Sequence, residues 1–390
     1  MHIILILPTD VGMLRCSSQR NRFAIANKSI YNAKYLMICD SVFYKCLMIT
    51  AQLESLGNPL EKLLKVVDFE MFRETLEAGL YKEKLSNVGA KPYDYVLMFK
   101  ILVLQRMYNL SDEQTEYQIV DRTSFRNFLG LASGDKVPDA RTIWVFKNQL
   151  TEKHLFEKLF DDFDKLLRDS NLILNQGVII DGSFVEIPRQ RNTREENKAI
   201  KEDRGAELWN EEECDTEEDK KKKANKKRHK DTDARWTKKG GQKFYGYKTH
   251  TKIDAKSKLI KKSVTTSAEQ HDSIPTKLLI DSDDYGQELY ADSAYIGKGV
   301  KNLMRRFGMK DRVIKRKVRG KELSKRQETL NRKNAIPRAR IEHVFGYCEQ
   351  SMRGMFSRAV GFARNAARNV LTSLVYNMMR YEQIQRLGMN

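Results

Sequence analysis

Val178-Ile-Ile-Asp181-Gly-Ser-Phe-Val-Glu-Ile187 is the stretch that decides the fold. It is rich in β-branched residues and follows a long segment of helical pattern, so it reads as the opening strand of a sheet. Two alternating runs, Phe244 to Asp254 and Lys258 to Thr266, come next, with Ala255-Lys-Ser as the turn of a hairpin. A helix from Ser273 to Ile280, a fourth strand Glu288-Leu-Tyr-Ala-Asp292, a helix from Lys298 to Phe307 and a short strand near Val313 complete the pattern. Three strands, helix, strand, helix, strand, helix predicts a mixed α/β sheet.

Upstream, from Pro59 to about Leu172, the pattern is helical. Tyr93 to Tyr108 is apolar on most faces, as a helix buried in a small domain would be. Ser111 is placed to N-cap the next helix, with Gln114 at the capping-box position. A short helix spans Ser124 to Leu129, and Asp139 caps a last one carrying Ile143, Val145, Phe146 and Leu150. Short helices with tight turns suit a DNA-binding module and suit a plain helical bundle as well. Residues 1–47 hold three of the five cysteines and no clear period, and read as a poorly ordered extension before Met48.

Between the first two strands lies a polar insertion, residues 189–242, with Lys220-Lys-Lys-Lys-Ala-Asn-Lys-Lys-Arg-His-Lys230 inside it. Such a run predicts a solvated, partly disordered segment. A second basic stretch, Lys310 to Lys333, has 11 Lys or Arg against three acids. Its position between two candidate acids makes Lys315, Arg316 and Lys317 candidate phosphate contacts.

The 390 residues suffice for two or three domains. With 71 Lys plus Arg against 52 Asp plus Glu, the net charge of +19 favours a polyanionic partner. No apolar stretch approaches the roughly 20 residues that span a bilayer, so no membrane role is expected and the cytoplasm is the expected location. Cys16, Cys39, Cys46, Cys214 and Cys348 show no CxxC spacing, which argues for reduced thiols rather than disulfides or zinc.

Three acids stand out. Asp181 lies inside an apolar strand, where a carboxylate is costly unless paired or bound to a cation. Asp292 repeats the arrangement in Leu289-Tyr-Ala-Asp-Ser-Ala-Tyr295. Glu342 borders a helical face marked by Ile341, Val344, Phe345, Cys348, Met352 and Met355, with Arg338 four residues earlier on the same side. Phosphoryl transfer on DNA needs an activated nucleophile and a stabilised leaving oxygen, and two metal ions about 4 Å apart supply both. Magnesium takes hard oxygen ligands and keeps several waters, so few carboxylates suffice. Each acid alone reads equally as a cap or ion-pair partner.

Ile180-Asp-Gly-Ser-Phe-Val185, Ala291-Asp-Ser-Ala-Tyr295 and Arg338-x-x-x-Glu342-His-x-Phe345 resemble the three acid motifs of bacterial insertion-sequence DDE transposases. The likeness runs over most of residues 50–386 and includes Val137-Pro-Asp-Ala-Arg-Thr-Ile, Tyr245-Gly-Tyr-Lys-Thr-His250, His271-Asp-Ser and Leu374-Val-Tyr-Asn-Met-Met-Arg380. The resemblance implies a ribonuclease-H-like catalytic domain (173–386) behind an all-α DNA-binding domain (48–172). It implies Asp181, Asp292 and Glu342 as catalytic triad and ligands of two Mg²⁺ ions, for which Mn²⁺ can substitute. The implied substrates are double-stranded terminal inverted repeats and target DNA, handled by a homodimer in the synaptic complex of a bacterial, nucleoid-associated protein. Relatives often carry a Tyr three residues before the arginine and a Lys seven after the glutamate; here those positions are Ala335 and Glu349. Arg353, one turn further on, is a candidate replacement. Arg338, His343 and Lys248 are further candidate DNA contacts, and Trp209 and Trp236 either stack on bases or fix the insertion to the body. A nuclease or resolvase of the same fold, and a catalytically silent transposase-derived DNA-binding protein, are the alternatives.

Overall fold

Val178–Glu186 forms the strand expected of it, β1, and the sheet is assembled on both of its edges. The computed structural model describes residues 48, 52, 55–81, 91–132, 134–209, 216–317, 320 and 322–388. The expectation for residues 1–47 lies outside them. Residues from Pro59 onward form one unit and residues up to Asn58 another.

Among the described residues, seven α-helices precede β1: α1 (Pro59–Val66), α2 (Arg73–Leu80), α3 (Tyr95–Met107), α4 (Asp112–Asp121), α5 (Thr123–Leu129), α6 (Ala140–Glu152) and α7 (Leu155–Asp169). The caps are those read from the sequence. Ser111 and Gln114 form a reciprocal capping box on α4, and Asp139 accepts from the Thr142 amide on α6. Helix α3 is buried on most of its faces, including Phe99, Ile101, Leu102, Val103 and Leu104. The apolar core around it continues without a break into Ile179 of β1 and the two C-terminal helices.

Among the described residues of the insertion, 189–209 and 216–242, regular elements stand where the sequence suggested a solvated, partly disordered segment. They include α8 (Arg194–Lys201), α9 (Glu217–His229) and the strand β2 (Arg235–Lys239). Two acids explain why so polar a sequence orders. Buried Glu196 accepts from Trp209, Lys226, Lys230 and its own capping partner Thr193. Burial alone would raise it, but these bonds bring Glu196 down to about 2. Buried Asp231 accepts from the Tyr247 hydroxyl and from the amides of Asp233, Ala234 and Gly361. Helix α9 itself buries none of its residues, as a solvated lysine run should. Trp209 is 8% exposed and holds the insertion together.

The sheet continues with β3 (Gln242–Asp254), β4 (Ile260–Ser267), β5 (Glu288–Tyr290) and β6 (Lys310–Asp311). β3 pairs antiparallel with β1 on one edge and with β2 and then β4 on the other; β5 lies parallel to β1, and β6 parallel to β5. The helix expected over Ser273–Ile280 is only α10, Thr276–Leu279. Pro275 restricts Ile274 to extended backbone, so the helix cannot begin earlier. The last strand falls at Lys310–Asp311, just before the expected Val313, which is buried beside it.

Helix α11 (Lys298–Arg306) covers one face with α10, using Val300 and Met304 against Val178 and Ile180. The other face carries α12 (Lys325–Arg338), α13 (Arg340–Met352) and the 26-residue α14 (Phe362–Leu387). α14 is knitted to β4 by Asn377, whose side chain accepts from the Ile260 amide and donates to its carbonyl. None of the described helices is long and apolar enough to cross a membrane.

Candidate active site

The parallel register of β1 and β5 brings two of the acids together. Ile179 pairs with Tyr290, and the same register carried two residues further sets Asp181 beside Asp292. Alternation along the strands puts Ile179, Tyr290 and both acids on the face covered by α13 and α14. β5 ends at Tyr290, so Asp292 lies just past it and caps a single 3-10 turn, accepting from the Ala294 amide at 2.8 Å.

Glu342 reaches this face through a break between two helices. Pro337 lacks an amide proton and lies in the last turn of α12, which stops at Arg338; α13 starts at Arg340. Arg338 and Glu342 therefore belong to different helices, yet remain neighbours. The Arg338 guanidinium donates to Asp181 Oδ2 and to Glu342 Oε1, each at 2.8 Å. Asp181 is 15% exposed at its side chain and Glu342 61%. The buried row of α13 (Ile341, Val344, Cys348, Met352) is the one read from the sequence, with Met355 just beyond its end.

Burial first, and then the charge of Asp292, push the Asp181 carboxyl up to about 6 against the pull of the Gly182 amide, Arg338 and Lys239. Two adjoining carboxylates on a half-dry sheet face are short of positive charge, and Arg338 supplies part of it. All the donor atoms are hard oxygens, as magnesium or manganese would require. Among the described residues no three His, Cys, Asp or Glu side chains stand close enough to share an ion. Asp181 and Asp292 adjoin, whereas Glu342 is joined to Asp181 through Arg338.

Beneath the acids, on the opposite face, lies a cluster that sequence reading did not assemble. A Cβ added to Gly182 would stand 3.0 Å from His250 Nδ1 and 3.6 Å from Asp272 Oδ1. His250 pairs through Nε2 with Thr266 Oγ1, and burial lowers it to about 4, so it is neutral. Tyr295 is buried, and desolvation with the charges of Asp181, Asp272 and Asp292 drives its hydroxyl well above the usual range. Asp272 does not cap α10; it accepts from Lys248 at 2.9 Å.

The remaining sequence candidates scatter. Lys248 is buried, donating to Asp272 and to the Gln270 carbonyl, and so presents no ammonium to solvent. His343 is exposed beside Glu342. Arg353 is the left-handed C-cap of α13, eleven residues past Glu342 and so roughly 16 Å along the axis. Lys315 pairs with Asp311 and Lys317 with Glu322, while Arg316 is exposed with no acid partner among the described residues. Glu349 accepts from the Met355 amide and closes the turn after α13. Trp236 is 46% exposed, with Arg189 over its ring.

Two family descriptions match the chain. "Transposase domain (DUF772)" matches residues 48–149 and "Transposase DDE domain" residues 174–378. No solved structure matches it. The second match covers more than half of the 390 residues and contains Asp181, Asp292 and Glu342, and the chain therefore belongs to the DDE-domain transposase family.

Proposed function

We propose that this transposase cleaves DNA at the inverted-repeat ends of an insertion sequence and joins the freed 3′ ends to target DNA, with Asp181, Asp292 and Glu342 as its catalytic acids. The observation that carries the reading is the placement of Asp181, on β1, beside Asp292, just past the end of the parallel strand β5, with Arg338 linking Asp181 to Glu342. The strand order β4-β3-β1-β5-β6, three antiparallel strands and then two parallel, supports a ribonuclease-H-like catalytic domain spanning 173–386. The helices within 48–172 would form its DNA-binding domain.

The three carboxylates would hold two Mg²⁺ ions, for which Mn²⁺ can substitute. Such ions supply the positive charge that activates water or a 3′-hydroxyl and offsets charge on the departing oxygen. The protein's own residues prepare the site. β1 and β5 fix two carboxylates side by side on a rigid sheet, and the Gly182 and Ala294 amides orient one oxygen of each. Arg338 compensates Asp181 and Glu342 while DNA is absent. Its planar guanidinium suits a phosphate equally well, so it can pass from the acids to the DNA backbone as the site fills. His343 and Arg316 are exposed where a phosphate can reach them. Synapsis of two ends would make the working form at least a homodimer.

The test is transposition of a marked element carrying the gene's own flanking repeats in cells that supply wild type or Asp292→Asn in trans. New insertions with wild type alone support the reading. Equal insertion frequencies with both, at matched protein levels, would remove Asp292 from the mechanism. DNA binding without insertion by wild type would favour a silent DNA-binding protein.

A further inference from the structure

Two sequence motifs, Tyr245-Gly-Tyr-Lys-Thr-His250 and His271-Asp-Ser273, lie outside the three acid motifs, and the fold brings them together beneath Asp181. In the antiparallel ladder of β1 with β3, Gly182 stands opposite His250 and Phe184 opposite Lys248. Strand alternation puts these four on the sheet face away from Asp181. Gly182 offers no side chain there, and its neighbours close in. A Cβ at Gly182 would stand 3.0 Å from His250 Nδ1, 3.3 Å from His250 Cε1 and 3.6 Å from Asp272 Oδ1. The backbone of β1 thus sits directly on an imidazole and a carboxylate.

Both supports are fixed by bonds of their own. Thr266 donates its hydroxyl proton to the Ser267 carbonyl at 3.2 Å, so its oxygen accepts from His250 Nε2 at 2.9 Å. That bond sets the ring, and leaves the Nδ1 edge as the side turned to Gly182. Nδ1 has no hydrogen-bond partner among the described residues, so this edge acts by contact. Lys248 reaches across the Phe184 ring, its Nζ 5.3 Å from the ring centre. It donates to Asp272 Oδ1 at 2.9 Å and to the Gln270 carbonyl at 2.8 Å. This largely buried ion pair ties the loop after β4 to the central strands and holds Asp272 against Gly182.

The link to the acids runs through the backbone. The Gly182 amide donates to Asp181 Oδ1 at 2.8 Å, while Arg338 holds Oδ2. The Gly182 Cα is bonded to that amide nitrogen, so whatever seats the Cα also aims the N–H and the oxygen it holds. We propose that His250, Lys248 and Asp272 are positioning residues that set the direction of the Asp181 carboxylate through Gly182, from the far face of the sheet. The proposal rests on the transposase reading for the role of Asp181.

The test uses the full chain with a duplex of the gene's own flanking end. Nicking is measured at saturating DNA, Mn²⁺ binding to the complex by electron paramagnetic resonance against the duplex alone, and hydrogen exchange over residues 178–187. His250→Gln keeps a donor for Thr266 but takes the ring from under Gly182. It should slow nicking about tenfold or more and weaken Mn²⁺ binding to match, with faster exchange over 178–187 and with DNA affinity and urea midpoint near wild type. Gly182→Ala should do the same by driving the ring away. The double variant should nick faster than either single one, because the added methyl fills the space that the ring leaves. Asp272→Asn, which still accepts from Lys248, should be milder than Asp272→Ala.

Wild-type nicking and Mn²⁺ affinity in both single variants overturn the proposal. Losses that merely follow a fallen urea midpoint and lost DNA affinity make the cluster structural only, and overturn it too. A double variant no faster than the slower single one removes the Gly182 contact as the route. A wild type that binds the duplex but neither takes up Mn²⁺ nor nicks defeats the transposase reading instead. Exchange over 178–187 then decides: faster in the variants, with the helices before β1 unchanged, supports the seating of Gly182, and no difference overturns it.

Discussion

Asp181→Asn should make the metal-free protein more stable at pH 8, although it removes a charge that is ion-paired in the fold. The Asp181 carboxyl is 15% exposed at its side chain and held at about 6 by burial first and Asp292 next, against a usual 3.8. The sign follows from linkage. A carboxyl raised on folding contributes its full stability below about pH 4 and loses it as pH climbs through 6. A shift of about 2 units at roughly 1.4 kcal/mol each amounts to about 3 kcal/mol of destabilisation at pH 8. That net figure already includes the help of Arg338 and the Gly182 amide, and asparagine can still accept from both. The assay is thermal or urea unfolding of both proteins in EDTA from pH 4 to pH 8, read as the difference between them so that other titrations cancel. The difference should be near zero at pH 4 and grow to about 3 kcal/mol by pH 8, or on the order of 5 °C in Tm. A difference independent of pH, or an asparagine variant less stable at pH 8, would refute the claim that the surroundings of Asp181 lack positive charge.

Two further perturbations test the scaffold. Asp284→Asn leaves the buried ammonium groups of Lys252 and Lys261 without their shared carboxylate, and should cost about 3–5 kcal/mol in urea unfolding; a loss below 1 kcal/mol would contradict the buried network. Gly246→Ala places a Cβ 2.4 Å from the Val185 carbonyl at φ +141°, in the middle of β3. It should cost about 3 kcal/mol or more, and a wild-type Tm would mean that β1 and β3 do not approach so closely.

Most of the sheet was legible because its strands obey simple patterns. β1, β3, β4 and β5 are β-branched or alternating runs bounded by turns, and the acids interrupt them visibly. The parallel pairing of β1 with β5, which joins Asp181 to Asp292 across 110 intervening residues, has no local signal. Its support came from the resemblance. The ordered elements of the insertion had no local signal because composition hides partners: Glu196 and Asp231 each gather donors from distant segments, and no window of sequence shows that. The β2–β3 hairpin did carry a signal, Gly240-Gly241 between two short runs, but the surrounding lysines masked it. Lys248 looked like a DNA contact because its partner Asp272 is 24 residues away. Likewise Pro275 cut short a helix that apolar spacing alone extended back to Ser273.

The central claim is that Asp181, Asp292 and Glu342 act as one metal-dependent unit, and end-labelled DNA tests it most directly. Wild type, Asp181→Asn, Asp292→Asn and Glu342→Gln should be incubated with the element's labelled ends and Mg²⁺, with binding followed in parallel. The account predicts metal-dependent nicking by wild type alone, with binding retained by all four. Nicking by any one of the three variants at the wild-type rate, or a wild type that binds intact ends and never cuts them, would contradict it.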